Sequence, residues 1–312
     1  MKQHQGVRRV AVDEGGAGQR LDNFLLRHLK GVPRGVIYKA VRTGQVRVNG
    51  RRAKSMQKLQ VGDEVRIPPV QARADDEAMP LSTGHQGRLE AAIIHEDEDL
   101  LVVNKPSGLA VHGGSGIRQG LIEQFRLLRP QCRYLELAHR LDRDTSGVLV
   151  MAKKRSALMK LHEAFRDRQT EKIYEAWVVG CWPAHVKEVT APLRKNVLRS
   201  GERVVRVDAE GKPSLTRFRV LRQAGGVALV EVRPVTGRTH QIRVHAQFAG
   251  CPIVGDDKYG RDEDNRFWAA RGLGRLCLHA RRLRFPWRGR HLAFEAPWEL
   301  HDWSHEEGDS DA

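Results

Sequence analysis

His139-Arg140-Leu141-Asp142-Arg143-Asp144-Thr145-Ser146-Gly147 runs straight into the apolar triplet Val148-Leu149-Val150. A short apolar run bounded by small polar residues reads as a buried strand, here Val148–Ala152, and the string before it as the loop at its mouth. Loops held by a rigid sheet are where reactive side chains are generally placed. An Asp between arginines also serves as a plain salt bridge, so the string alone leaves Asp142 between a structural and a chemical role.

Outward from this loop, Leu100–Asn104 reads as a second buried strand and Ala157–Phe165 as a helix with Leu158, Leu161 and Phe165 inward. Glu171–Val179 and Val227–Arg233 are further strands, and period-two alternation puts Lys172 and Tyr174 on one face of the first. A tyrosine there is equally a core aromatic. The run Arg233-Pro234-Val235-Thr236-Gly237-Arg238-Thr239-His240-Gln241-Ile242-Arg243-Val244-His245 reads as a strand end, a turn and a helix start. Ile242, Ala246 and Ala249 form that helix's apolar stripe and Gly250 its stop. Arg243 projects away from the stripe, as a surface cation would. The elements lack the βαβ alternation of a parallel α/β protein, which predicts an α+β class.

The first 70 residues carry fifteen Lys/Arg against five Asp/Glu, a net charge of +10. Leu21, Phe24, Leu25 and Leu29 share one helical stripe, and a second helix is predicted from Pro33 to about Gly44, with Val36, Ile37, Ala40 and Val41 inward. Arg34, Lys39 and Arg42 face solvent on its other side. Val46-Arg47-Val48 enters an Asn49-Gly50 turn followed by Arg51 and Arg52, and Val65-Arg66-Ile67 closes the unit. A small unit edged with Arg34, Lys39, Arg42, Arg47, Arg51 and Arg52 predicts a docking face for RNA. The expected organisation is a basic domain at 1–70, a linker at 71–88, a second domain at 89–303 and an acidic tail at 304–312.

The whole chain has 312 residues, 40% of them hydrophobic, and a net charge of +16. That supports a folded core and a polyanionic partner. Cys132, Cys181, Cys251 and Cys277 form no CxxC or Cys-His cluster, so they are expected as buried thiols with no metal site and no disulfide framework. No Gly-Lys-Ser/Thr follows His112-Gly113-Gly114-Ser115-Gly116, and no GxSxG or GxGxxG occurs. Phosphate-loop, hydrolase-elbow and dinucleotide readings are therefore excluded, and no cofactor is expected. Met1-Lys2-Gln3-His4-Gln5 has no apolar signal-peptide core, and no run is long enough for a membrane span. A cytoplasmic monomer with no membrane partner is expected.

The nine-residue string at 139–147 resembles the signature of the RNA pseudouridine synthases, the family that contains the ribosomal-RNA enzymes. Glu171-Lys172-Ile173-Tyr174, the Arg233–His245 run, Gly250–Gly260 and Leu276–Ala280 follow in the order of that family. Residues 18–68 resemble the αL RNA-binding module of a small-subunit ribosomal protein and of bacterial tyrosyl-tRNA synthetases. The match is carried by Gln19–Leu25, Gly44–Gly50 and Val61–Val65. Within the family the chain is nearest the large-subunit ribosomal enzymes, through His112–Gly116, Arg143-Asp144 and Leu198–Val207.

The resemblance implies a mixed, largely antiparallel sheet and isomerisation of several uridines in large-subunit (23S) ribosomal RNA, naked or in an assembling subunit. It implies Asp142 as the catalytic carboxylate, Tyr174 against the target base, Arg243 against Asp142 and Arg140 filling the space left by the extruded base. His139 and Thr145 are given a loop-shaping role. Nothing is oxidised or consumed in such a reaction. One ionised carboxylate starts it, by attack at the sugar or by assisting departure of the base. Two alternatives are a non-catalytic ribosome-assembly factor with a synthase-like fold and a nucleoside hydrolase using Asp142 and Asp144.

Overall fold

The structure, a computed structural model, describes residues 6–29, 32, 34–70, 81–113, 119–197 and 203–298. The linker residues 71–80, part of the glycine-rich stretch after Gly113, residues 198–202 and the acidic tail lie outside the described residues, as does the side chain of Arg34. The chain divides into two compact units, residues 1–81 and 82–312.

The first unit contains β1 (Arg8–Ala11), α1 (Leu21–His28), α2 (Arg34–Arg42), β2 (Arg47–Val48), β3 (Arg51–Arg52) and β4 (Glu64–Ile67). Its strands form an antiparallel sheet in the order β1-β4-β2-β3. Asn49 and Gly50 both have left-handed backbone, φ 51° and 75°, which turns β2 into β3 in two residues. Leu21, Phe24, Leu25 and Leu29 are buried with Ile37, Ala40 and Val41. Val36, expected in that stripe, is 41% exposed. Ile37, Ala40 and Val41 fill the i, i+3, i+4 positions that a one-sided contact uses, and Val36 falls outside them.

The second unit begins with α3 (Thr83–Ala91), β5 (Ile93–Glu96), β6 (Leu100–Lys105), α4 (Leu121–Leu128), β7 (Glu136–Leu137), β8 (Ser146–Ala152) and α5 (Arg155–Arg166). It continues with β9 (Glu171–Val179), β10 (Glu188–Thr190), β11 (Leu193–Val197), β12 (Arg203–Val207), β13 (Leu215–Ala224) and β14 (Val227–Pro234). α6 (Gln241–Phe248), α7 (Asp262–Ala269), β15 (Leu278–Trp287) and β16 (Arg290–Glu295) complete it. Residues 83–88, read from sequence as linker, belong to α3. Ser82 caps that helix by accepting the His85 N–H, so the Ser-Thr-Gly cluster is a helix start and not a break.

One large sheet runs in the order β10-β13-β14-β9-β15-β8-β6-β5, with β16 on β15 and β7 on β8. The β15–β8 pairing is parallel and the others are antiparallel, which is the mixed, largely antiparallel sheet of an α+β protein. β15 thereby joins two antiparallel halves. At the junction Ala280 lies opposite Gly147, whose φ is +112°. A Cβ at Gly147 would stand 2.3 Å from the Ala280 carbonyl oxygen, so only glycine lets the strands meet. Beside it the buried His279 accepts from Ser146 Oγ through Nδ1 (2.9 Å) and donates from Nε2 to the Ala296 carbonyl (3.1 Å). The cysteines are not uniformly buried: Cys251 and Cys277 are, but Cys181 is exposed and Cys132 half-buried.

Gly147→Ala is expected to destabilise the chain by more than about 2 kcal/mol, from backbone strain plus the clash with Ala280, read as a lower denaturant midpoint. Burial pulls His279 down to about 4 from its ordinary 6.5. Its contribution to stability is complete above pH 6.5 and lost as pH falls toward 4, because there the unfolded chain takes up the proton first. His279→Gln is expected to flatten the stability–pH curve across that window in equilibrium unfolding.

Candidate active site

The loop before β8 is pinned on both sides of Asp142. Val150 N–H donates to His139 Nε2 at 3.1 Å, and burial holds that ring neutral, down to about 3. On the other side the buried ammonium of Lys105, at the end of β6, donates to the Pro106, Leu109 and Arg143 carbonyls at 2.8, 2.7 and 2.8 Å. Burial pulls Lys105 down to about 7, while the charges of Asp144 and Asp142 oppose the shift. Three carbonyls match the three donors of an ammonium, which offsets part of its desolvation. Ser107 Oγ donates to the Asp144 carbonyl at 2.6 Å, and Arg143 pairs with the Asp144 carboxylate, occupying it. Asp142 is left with its carboxylate turned to a cavity of about 810 Å³.

β9 brings Tyr174 and Lys172 to the same cavity. Burial, reinforced by the charge of Asp142, pushes the Tyr174 hydroxyl above its ordinary value, so it is a neutral phenol at working pH. Burial pulls Lys172 down, and Arg168 adds to the shift. Arg140, Arg166, Arg168, Arg217, Arg233 and Arg238 also line the cavity. Uracil is flat and uncharged and its flanking phosphates are anionic, so the chemistry of the lining suits a nucleotide.

Arg243, on α6, is 2% exposed and not a surface cation. The helix is covered on both sides. Ile242 and Ala246 pack on the large sheet, and Val244 packs with Leu193, Val205 and Tyr259 under the β11–β12 hairpin. The guanidinium donates to the fully buried Asp256 through Nε (2.7 Å) and Nη2 (2.6 Å) and to Asp257 at 3.1 Å. It also lies over the Tyr259 ring, 5.0 Å from its centroid. Burial lowers Arg243, but Asp256, Asp142 and Asp257 outweigh it, so its charge is permanent. The resemblance sets this arginine against Asp142. Here its hydrogen bonds go to Asp256 and Asp257, and it acts on Asp142 through space.

The sequence reading gave His240 no role. Its Nε2 stands 4.0 Å from Asp142 Oδ2, and it caps α6 with left-handed backbone, φ 51°. Tyr259 Oη accepts the Val205 N–H at 2.9 Å, leaving its own hydrogen for His240 Nδ1 at 2.7 Å. That places the imidazole hydrogen on Nε2, toward Asp142. Burial pulls His240 down and the charge of Asp142 pushes it up; Arg243 and Lys258 lower it further. Gln241 secures the turn before it, with Oε1 accepting from Thr236 Oγ1 and Arg238 N–H.

The cavity thus gathers Asp142, Tyr174, Arg243 and Arg140 from three distant segments, and adds His240 and Lys172. Lys39, Arg42 and Arg52 line a separate groove in the first unit, and Arg47 and Arg51 are exposed on its hairpin. Lys105, Asp256 and Tyr259 support the site without having been read as functional. A lysine closing the apolar run Leu100–Val103 was the available signal for the first of them.

Residues 99–248 match the model of the RNA pseudouridylate synthase family, and residues 19–65 that of the S4 domain. The chain is 55% identical over 298 residues to the ribosomal large subunit pseudouridine synthase C of Escherichia coli, covering 94% of this chain and 93% of that one. It is 52% identical over 296 residues to the enzyme of the same name in Haemophilus influenzae, covering 94% and 92%. Among solved structures it is similar to the human RNA Pseudouridylate Synthase Domain Containing 4, with TM-score 0.56 and 30% identity, covering 68% of this chain and 90% of that one. The chain belongs to the RNA pseudouridylate synthase family and is built as an isomerase with an S4 domain.

Asp256→Ala leaves Arg243 buried without its main partner, at an expected loss of about 3–5 kcal/mol in unfolding free energy. Tyr259→Phe removes the hydroxyl that orients His240. It is expected to lower kcat about tenfold with KM little changed, a pattern that single-turnover and steady-state kinetics together distinguish from loss of binding.

Proposed function

We propose that this chain converts uridines of large-subunit ribosomal RNA to pseudouridine, with Asp142 as the catalytic carboxylate. The observation that carries the reading is the convergence of Asp142, Tyr174 and Arg243 in one cavity. The large-subunit substrate follows the names of the relatives that match along nearly their whole length. A chain acting there works in the cytoplasm, where ribosomes are assembled.

In the reaction the C1′–N1 bond breaks, uracil turns, and C5 bonds to C1′ as the C5 proton is lost and N1 regains one. Asp142 supplies negative charge at the sugar as the glycosidic bond breaks. The fixed charge of Arg243 and the Nε2–H of His240 complement the negative charge of that carboxylate. Tyr174 stacks its ring on uracil, and its neutral hydroxyl holds a proton close to the rearranging base. The target must first leave its helix, which costs a few kcal/mol of unstacking. Arg140 is exposed at the cavity and without an ion-pair partner among the described residues, free to enter the space left behind. The basic unit at 1–70, joined to the second unit through the residues before α3, anchors the enzyme on RNA and takes no part in the chemistry.

Deleting the gene and mapping pseudouridines in both ribosomal RNAs tests the assignment. Loss at several large-subunit positions is expected, restored by the wild type and not by Asp142→Asn, which should retain fold and RNA affinity. Loss confined to small-subunit RNA or tRNA would remove the substrate assignment, and substantial turnover by Asp142→Asn would remove Asp142 as the essential group. Deleting the basic unit is expected to flatten the salt dependence of binding, since each phosphate neutralised contributes a slope of roughly 0.9 on duplex RNA or DNA.

A further inference from the structure

The first unit holds a groove of about 700 Å³ between α2 and the segment after β3. That volume lies within the range of about 300–1,000 Å³ in which small ligands bind. Tyr38, Val41, Ala53 and Met56 give it an apolar floor, and Lys39, Arg42, Arg52 and Lys54 stand along it. Its walls are preformed. Leu21 and Asp22 N–H groups donate to the Gln57 and Ser55 carbonyls, tying the segment after β3 to the start of α1.

Tyr38 is the unusual member. Its side of α2 is open, and the residue is 44% exposed, yet its hydroxyl donates to Asp22 Oδ2 at 3.0 Å. Asp22 is buried and also paired with Arg20. Burial alone would raise the Asp22 carboxyl, but the hydrogen bonds of Arg20, Tyr38 and the Asn23 N–H hold it below its ordinary value, so it is ionised. A buried carboxylate therefore holds an aromatic side chain that is 44% exposed. Met56, 66% exposed, stands in the same groove. Lys39, Arg42 and Lys54 have no carboxylate partner among the described residues. An oriented, exposed ring among unpaired cations matches one ligand chemistry, a flat base with phosphates on either side.

We propose that this groove is a second nucleotide site, which takes one unpaired base of the RNA on Tyr38 and Met56 while Lys39, Arg42 and Lys54 hold its flanking phosphates. It rests on the reading that the chain acts on RNA. It goes beyond a charged docking face, because a face that reads only phosphates has no use for a fixed, exposed ring. The anchor would then select RNA by the presence of a splayed nucleotide at a distance from the modified uridine, whatever the duplex sequence around it.

The test is the affinity of the full chain for three synthetic RNA hairpins sharing one stem: fully paired, with a single bulged adenosine, and with an abasic residue at the bulge. Adenosine is used because the catalytic cavity does not turn it over. The wild type is expected to bind the bulged hairpin more tightly than the other two, and Tyr38→Ala to lose that preference, between about fivefold and about one-hundredfold in Kd. Tyr38→Phe, which keeps the ring but loses the bond to Asp22, should retain most of it. Val61→Ala, which removes an exposed apolar side chain elsewhere on the unit, should retain all of it. Equal binding of the three hairpins by the wild type would overturn the proposal. So would equal losses in Tyr38→Ala and Tyr38→Phe, since the Asp22 bond and not the ring would then be at work. An unchanged Kd in Tyr38→Ala would leave the groove to a protein partner and overturn it too. Because binding is read on synthetic RNA, a chain that made no pseudouridine in ribosomal RNA would refute the proposed function separately.

Discussion

Everything in the catalytic unit is hung on the close approach of Gly147 to Ala280. The two halves of the large sheet share only β15, and the parallel contact of β15 with β8 is where the signature loop ends. If that contact were wider, β8 would still pair with β6, but the loop would no longer face β9, which carries Tyr174. The missing Cβ thus lets the strand that follows the carboxylate's loop meet β15, which pairs in turn with β9. Lys105 then fixes the direction. It sits opposite Gly147 in the β6–β8 register and ties the Arg143 carbonyl down. A buried ammonium is an expensive clip, and its desolvation is offset only because the loop presents three carbonyls to it.

The second constraint is electrostatic. A guanidinium paired tightly with Asp142, the carboxylate proposed to act, would restrain it. Here Asp256 takes both donors on the near side of Arg243, and Asp256 also accepts the Lys258 and Tyr259 N–H groups. The arginine is immobilised by a partner that does no chemistry, and its remaining field falls on Asp142. His240 also stands beside Asp142 and is oriented by Tyr259, which packs against the same guanidinium. One buried pair therefore organises the arginine, the tyrosine that aims the histidine, and through it the surroundings of the carboxylate.

Much of this was legible in the sequence, and the misses share a cause. Strands β6, β8, β9 and β14 and the helices α1, α5 and α6 were readable because their apolar residues keep the period of a one-sided or fully buried element. Asp142, Tyr174 and Arg243 came from the resemblance, not from periodicity. Arg243 looked like a surface cation because an off-stripe position on a helix normally meets water. It is interior because the β11–β12 hairpin, distant in sequence, closes over that face. His240 and Asp256 were overlooked for the same reason: their roles exist only after α6, the turn before it and the Asp256 loop converge. Val36 and Ser82 failed at the local level, one by a single position on a helical wheel and one because a capping serine looks like a linker serine.

Net charge also needs reading residue by residue. Around the catalytic cavity, Arg217 pairs with Glu188 and Arg233 with Glu231 and Glu171, so part of their charge is already balanced. Arg140, Arg168 and Arg238 have no carboxylate partner among the described residues. Phosphates are therefore drawn to particular points of the rim, with the paired arginines shaping the wall between them. In the basic unit the balance is different, because Lys39, Arg42 and Lys54, along one groove, have no carboxylate partner among the described residues. A chain that must hold a long polyanion and yet place one uridine with ångström accuracy needs both arrangements. Loose, unpaired cations supply affinity without register, and cations held by carboxylates, like the buried pair behind Asp142, supply register at little gain in affinity.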